Sequence, residues 1–180
     1  MAIWQFRVIL IPEASLAKVF GSVPPAVPIE LAEDFPWWSH VQPPKGIEQQ
    51  INSILPPAES WSKEMRMWGL KHSDTAYVIY VDETKTIVEE VSFSVDARAI
   101  SAELVDAICA FARQLGCVLM TSEYEIVMPE HAAALSAIEH SSARKFVDDP
   151  VSTLQHLKHT KLQDALDYMD KQERDPRREQ

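Results

Sequence analysis

Hydrophobic positions are most regular between Thr86 and Phe146, where they predict a strand, a helix, a strand and a helix. In Ile87 to Val95, apolar side chains fall on alternate positions, which is typical of a strand with one buried face. From Ser101 to Leu115 the apolar residues recur at helical spacing, namely Leu104, Ile108, Phe111 and Leu115. A sheet that is polar on one face and apolar on the other fits antiparallel strands covered by helices on one side.

The second strand of this unit begins with a continuous apolar run, Cys117 to Met120. The pattern leaves open whether Cys117 to Met128 is one bent strand or a hairpin about Thr121–Glu123. Pro129 ends this extended stretch, and a helix is predicted from near Glu130. The predicted inner side of that helix is Leu135, Ile138, Ser142 and Phe146.

Three further strands are predicted upstream. Ala2 to Ile11 carries apolar residues on both faces, which indicates a central strand. Trp61 to Leu70, Ala76 to Val81 and the Thr86 strand follow one another through short turns, which predicts an antiparallel meander. The predicted fold is therefore α+β, with an antiparallel sheet of about five strands and two main helices on one face.

We expect residues 1–158 to form a single α+β domain. Asp149 followed by Pro150 predicts the start of a helix, because an acidic cap precedes proline at the first helical position. Residues 159–180 are predicted to form a C-terminal helix, with Thr160 and Gln163 as a capping box, and a charged tail.

The segment from Val23 to Pro44 contains six prolines and is predicted to be a long loop. It carries adjacent tryptophans, Trp37 and Trp38, preceded by Glu33 and Asp34. One alternative is that one indole fills the core and the other lies on the surface. The other is that the loop forms a recognition surface, since aromatic residues in ordered loops anchor protein interfaces.

Charge narrows the classes of partner. The 180-residue chain is 46% hydrophobic and has a formal net charge of −10. Trp61 to Pro150 holds 15 acidic and 8 basic residues, so the excess is concentrated there. This balance disfavours nucleic-acid binding, which needs a basic surface, and it fits a basic protein partner. Solubility alone would also explain it.

Cellular location is predicted to be cytoplasmic. No apolar run approaches the length of a membrane helix, and MAIWQFRVILIP lacks the features of a signal peptide. The two cysteines, Cys109 and Cys117, are interpreted as buried thiols rather than a disulfide or a metal pair.

No catalytic motif stands out. Glycine-rich phosphate loops and G-x-S-x-G elbows are absent, and the His156/His159 pair has no third ligand in the sequence, so we expect neither a cofactor nor a metal. The enzymatic alternative is a small hydrolase or ligand-binding pocket built from Arg98, Glu125 and His131.

Several stretches over the C-terminal two-thirds of the chain together carry a resemblance: Trp61, Trp68–Gly69 before Ala76–Val81, Asp96 to Arg98, and Ser141 to Phe146 before Asp149–Pro150. In these stretches the chain resembles small acidic bacterial immunity proteins, which bind and neutralise a cognate toxin. Trp37 and Trp38 have no counterpart in this resemblance. The resemblance implies a non-catalytic protein whose acidic face covers a toxin's active site, and it assigns no residue by position.

The function predicted from the sequence is therefore binding and neutralisation of a basic toxin or effector by a monomer or homodimer. The predicted partner-binding residues are the acidic and aromatic positions of the loops and turns: Glu33, Asp34, Trp37, Trp38, Asp82, Glu83, Glu89 and Glu90. A third possibility is a scaffold subunit that docks through the helix from Thr160.

Overall fold

A computed structural model describes residues 2–32, 35–60, 62–70, 76–81 and 87–156, with the backbone alone for 76–81. Seven strands form one sheet in the order β2-β3-β4-β5-β1-β6-β7. The strands are β1 Gln5–Pro12, β2 Pro57–Ala58, β3 Met65–Gly69, β4 Ala76–Val81, β5 Val88–Asp96, β6 Cys117–Thr121 and β7 Ile126–Val127. The helices are α1 Glu13–Phe20, α2 Ile29–Ala32, α3 Ile47–Ile51, α4 Ala102–Gln114, α5 His131–His140 and α6 Ser142–Asp148, and residues 150–156 form a further helical segment.

All pairings in the sheet are antiparallel. The central position predicted for β1 is confirmed, because β1 lies between β5 and β6. The predicted meander is confirmed as β3, β4 and β5. The sheet exceeds the expected five strands by β2 and β7, which have two residues each and are too short to give an alternating pattern.

Helices α4 and α5 pack on one face of the sheet, which confirms the predicted α+β fold. Between them and the sheet lies an apolar space of about 20 Å³, lined by Phe6 and Val95 from the sheet and by Ile108 and Ile138 from the helices, among others. The buried side of α4 is Val105, Ile108, Cys109, Phe111 and Ala112. It is therefore rotated slightly from the predicted face, and Leu104 and Leu115 are only partly buried.

The long helix predicted from Glu130 is divided by Ser141, so the prediction of one continuous inner face through Phe146 is wrong. The Ser141 backbone is extended, and its hydroxyl donates to the Ile138 carbonyl and accepts from the Arg144 N–H. This hydroxyl caps α6, which explains the break: serine competes for backbone groups that a continuous helix would use.

The predicted helix start at Asp149–Pro150 is confirmed. Residues 150–156 are helical, and the Asp149 carboxylate accepts from the Ser152 N–H at 3.0 Å. The C-terminal helix and tail predicted for 159–180 lie outside the described residues.

Both cysteines are free and buried, as predicted. Burial raises the pKa of the Cys117 thiol to about 12 and also raises the pKa of Cys109. Thiols held in the protonated form behave as small apolar core groups.

Candidate functional site

The two loop tryptophans lie in the core. Trp37 is 4% exposed and Trp38 is 1% exposed. The Trp38 indole donates to the Leu10 carbonyl at 3.0 Å, and the Ser15 hydroxyl donates to the Trp37 carbonyl at 2.6 Å. The prediction that these indoles form a recognition surface is therefore wrong, and the alternative with one indole on the surface is wrong as well.

A gap between two strands explains why the loop turns inward. The last pair of the β1–β5 ladder is Ile9 with Ser92, so Leu10 lies just beyond it. Trp38 satisfies the Leu10 carbonyl there, and the Gln42 amide bonds both backbone groups of Val88 at the start of β5, at 2.8 and 3.1 Å. Buried backbone groups require partners, and this segment supplies them where the strands separate.

Of the other predicted partner-binding residues, four lie outside the described residues: Glu33, Asp34, Asp82 and Glu83. Glu89 is exposed, as a contact residue needs to be. Glu90 pairs with Arg7 at 2.5 Å across the sheet, so its charge is already offset.

The three residues of the enzymatic alternative are not joined in one hydrogen-bonded group. Arg98 forms a two-point pair with Asp96 at 2.9 and 2.7 Å and lies 4.6 Å above the Trp4 ring. Hydrogen bonding to Arg98 lowers the pKa of Asp96. His131 instead contacts Asp106 at 2.7 Å, and Glu125 lies in the connection between β6 and β7. The structure therefore gives this pocket no support.

The connection between β6 and β7 is a tight hairpin, which resolves the alternative left open by the sequence. The Thr121 N–H donates to the Glu125 carbonyl at 2.9 Å, and the Tyr124 N–H donates to the Thr121 carbonyl at 3.0 Å. The Thr121 hydroxyl also accepts from the N–H groups of Glu123 and Glu125, at 3.2 and 3.3 Å. One buried threonine thus organises the whole turn.

Two other parts of the chain brace this hairpin. On one side, the Val27 N–H donates to the Tyr124 carbonyl and the Ile126 N–H donates to the Pro25 carbonyl, at 2.9 and 2.8 Å. On the other, the Glu123 carboxylate accepts from the Ser142 N–H at the start of α6, at 3.0 Å. The hairpin is therefore held by hydrogen bonds from two other parts of the chain, and a turn held in this way is preorganised.

Tyr124 has a backbone φ of 63°, the one positive φ at a non-glycine residue in the described chain. A bulky side chain in this left-handed region costs about 1–2 kcal/mol, and such residues concentrate at functional sites. Tyr124 is partly buried, and the nearby Met128 is 49% exposed. The hairpin thus combines a strained aromatic residue with an exposed apolar one.

The part of the chain that contains the hairpin is strongly acidic in sequence. Between Ser101 and His140 the chain has a single Arg or Lys, Arg113, whose guanidinium binds the Pro129 carbonyl. Six carboxylates from this stretch are exposed: Glu103, Asp106, Glu123, Glu125, Glu130 and Glu139. These carboxylates come from α4, the hairpin, α5 and the N-terminal cap of α5. We call this set of six exposed carboxylates the acidic face. Hydrogen bonds from its own backbone N–H and from the Ser101 hydroxyl lower the pKa of Glu103.

The sequence contained a signal for the acidic face. Residues 101–140 hold six acidic residues and one arginine, which predicts a negatively charged surface. The proline-rich loop, by contrast, was predicted to be a site from its aromatic residues. The left-handed backbone of Tyr124 had no such signal, since glycine or asparagine would be expected there.

Comparison with protein-family models, curated proteins and solved structures gives no match. Among the helices that the structure describes, none is long and apolar enough to cross a membrane. In the same residues no group of three or more His, Cys, Asp or Glu side chains could hold a metal ion.

Proposed function

We propose that this chain is a non-catalytic protein of the immunity or inhibitor type, which binds a basic toxin or effector through the acidic face. The observation that carries the proposal is the braced hairpin, which holds the partly buried Tyr124 next to the exposed Glu125 and shortly before the exposed Met128. Protein interfaces combine aromatic or methionine anchors with a charged rim, and the hairpin has both parts.

Electrostatics supports a basic partner. The exposed carboxylates of α4, the hairpin and α5 lie on a chain whose net charge is −10. Complementary charge accelerates association and selects among partners more than it adds affinity.

We propose that the protein acts in the cytoplasm, because free buried thiols are typical of a reducing compartment.

The first test is charge reversal at two exposed positions of the acidic face, Glu125→Lys with Glu139→Lys. The matched control is Glu59→Lys with Glu64→Lys, two exposed residues of the connection between β2 and β3. Both double variants change the net charge equally. We expect the partner captured by the wild type from its native host to be kept by the control and lost by the acidic-face variant.

The second test asks whether the captured protein is neutralised. Its expression alone should arrest growth, and co-expression of the wild type or the control variant should restore growth, whereas the acidic-face variant should not. The association rate should fall at least about tenfold between low and high salt, as expected for steered association. A harmless partner, or equal capture by all three proteins, would refute the proposal.

A further inference from the structure

A groove lies on the opposite end of the sheet from the acidic face, between α3 and the edge strands β2 and β3. Its volume is about 310 Å³, which reaches the lower end of the range for small-ligand pockets, about 300–1,000 Å³. Apolar walls come from Met67, Pro57 and the buried Trp68, and polar groups come from Arg66, Asn52 and Glu48.

Two side chains of this groove offer hydrogen-bond donors, Arg66 and Asn52, and they lie among the side chains of Glu48, Gln49 and Ser60. The Asn52 side-chain oxygen accepts from the Trp68 indole at 2.7 Å, which leaves the Asn52 amide N–H groups as donors. One guanidinium nitrogen of Arg66 contacts both Glu48 oxygens, at 2.8 and 3.0 Å. The remaining Arg66 N–H groups bond no side chain or backbone group among the described residues.

We propose that this groove binds a carboxylate attached to an apolar group, with Arg66 and Asn52 donating to the carboxylate. A guanidinium fork matches a planar carboxylate in geometry. Glu48 already supplies one negative charge beside Arg66, so a singly charged ligand fits better than a doubly charged phosphate. The apolar part of the ligand lies against Met67 and Trp68.

Glu48 then acts as an internal competitor for Arg66. The pair is partly exposed, with 38% of the Arg66 side chain and 44% of the Glu48 side chain accessible. Exposed ion pairs are weak, so an incoming carboxylate can displace Glu48. This predicts an unusual result: removal of an acidic residue that lines the site strengthens binding of an acid.

The experiment titrates ¹⁵N-labelled full-length protein with three probes and follows the Arg66 Nε–H signal, assigned from the Arg66→Gln variant. The probes are N-acetylphenylalanine, its C-terminal amide, and a pentapeptide that ends in phenylalanine with a free carboxylate. We expect saturable shifts with the two carboxylates and none with the amide. Glu48→Gln should tighten binding up to about fivefold, the strength of an exposed ion pair.

Arg66→Gln should abolish binding, and Arg66→Lys should weaken it because a lysine offers no planar fork. The other amide signals should stay in place in both variants, which excludes unfolding as the cause. Tighter binding of the pentapeptide assigns the site to chain termini, and tighter binding of the free amino-acid derivative assigns it to small acids. Equal binding of acid and amide, or no saturable shift in Glu48→Gln, would overturn the proposal.

Discussion

The proline-rich segment at residues 23–44 and the hairpin between β6 and β7 are both connections, yet their aromatic residues differ in burial. Trp38 is 1% exposed and bonds the Leu10 carbonyl, whereas Tyr124 is held in a left-handed conformation within a partly exposed turn. The difference shows that aromatic content does not by itself indicate a recognition loop. An aromatic loop folds into the core when a nearby strand end has buried backbone groups that need hydrogen-bond partners from the loop.

The largest expected effect comes from Trp38→Ala, which removes a buried indole and its hydrogen bond. Large-to-small substitution of a core aromatic typically costs about 3–5 kcal/mol, so the free energy of unfolding from urea denaturation should fall by that amount. If the variant does not fold, Trp38→Phe keeps most of the volume and should cost about 1–3 kcal/mol, because the buried Leu10 carbonyl then has no partner. If both variants lose less unfolding free energy than the range expected for each, the proline-rich segment does not contribute to the core.

The hairpin is tested by comparing Tyr124→Gly with Tyr124→Ala. Both variants remove the ring, so their difference isolates the backbone. Glycine should be more stable than alanine by about 1 kcal/mol, because only glycine adopts a positive φ without steric cost. Alanine more stable than glycine in thermal unfolding would contradict the strained turn, since alanine is favoured at ordinary backbone angles.

The smallest expected effect is at Gln42, whose amide bridges the Val88 backbone. Gln42→Ala should lower the unfolding free energy by about 0.5–1.5 kcal/mol and accelerate hydrogen exchange at the Val88 amide. Gln114→Ala, at an exposed position near the end of α4, is the matched control and should change little. Equal exchange at Val88 in both variants would show that Gln42 does not protect the Val88 amide.

Residues whose role depends on near neighbours were predictable from the sequence. Apolar residues on both faces of β1 predicted a central strand, and the spacing around Ile108 and Phe111 predicted the buried side of α4. The start of a helix at Pro150 followed from one dipeptide. In each case a local pattern carries the information, since periodicity and capping act within a few residues.

Residues whose role depends on distant neighbours were not predictable. Trp38 is buried because β1 and β5 separate, and nothing near Trp38 in the sequence encodes that separation. Tyr124 takes its conformation from Thr121, Val27 and the strand register rather than from a turn residue such as glycine. The candidate site was therefore predicted only in its charge, and even there the expected carboxylates were in other turns.

The position of β1 has a consequence for synthesis of the protein. Its partners are residues 92–96 and 117–121, so β1 leaves the ribosome long before either strand that pairs with it. At about 5–20 residues per second, β1 waits about 4–17 s before β5, the earlier of its two partners, follows it. During that interval the nascent chain carries an unpaired strand that is apolar on both faces, the kind of segment that chaperones bind and that aggregates when they do not.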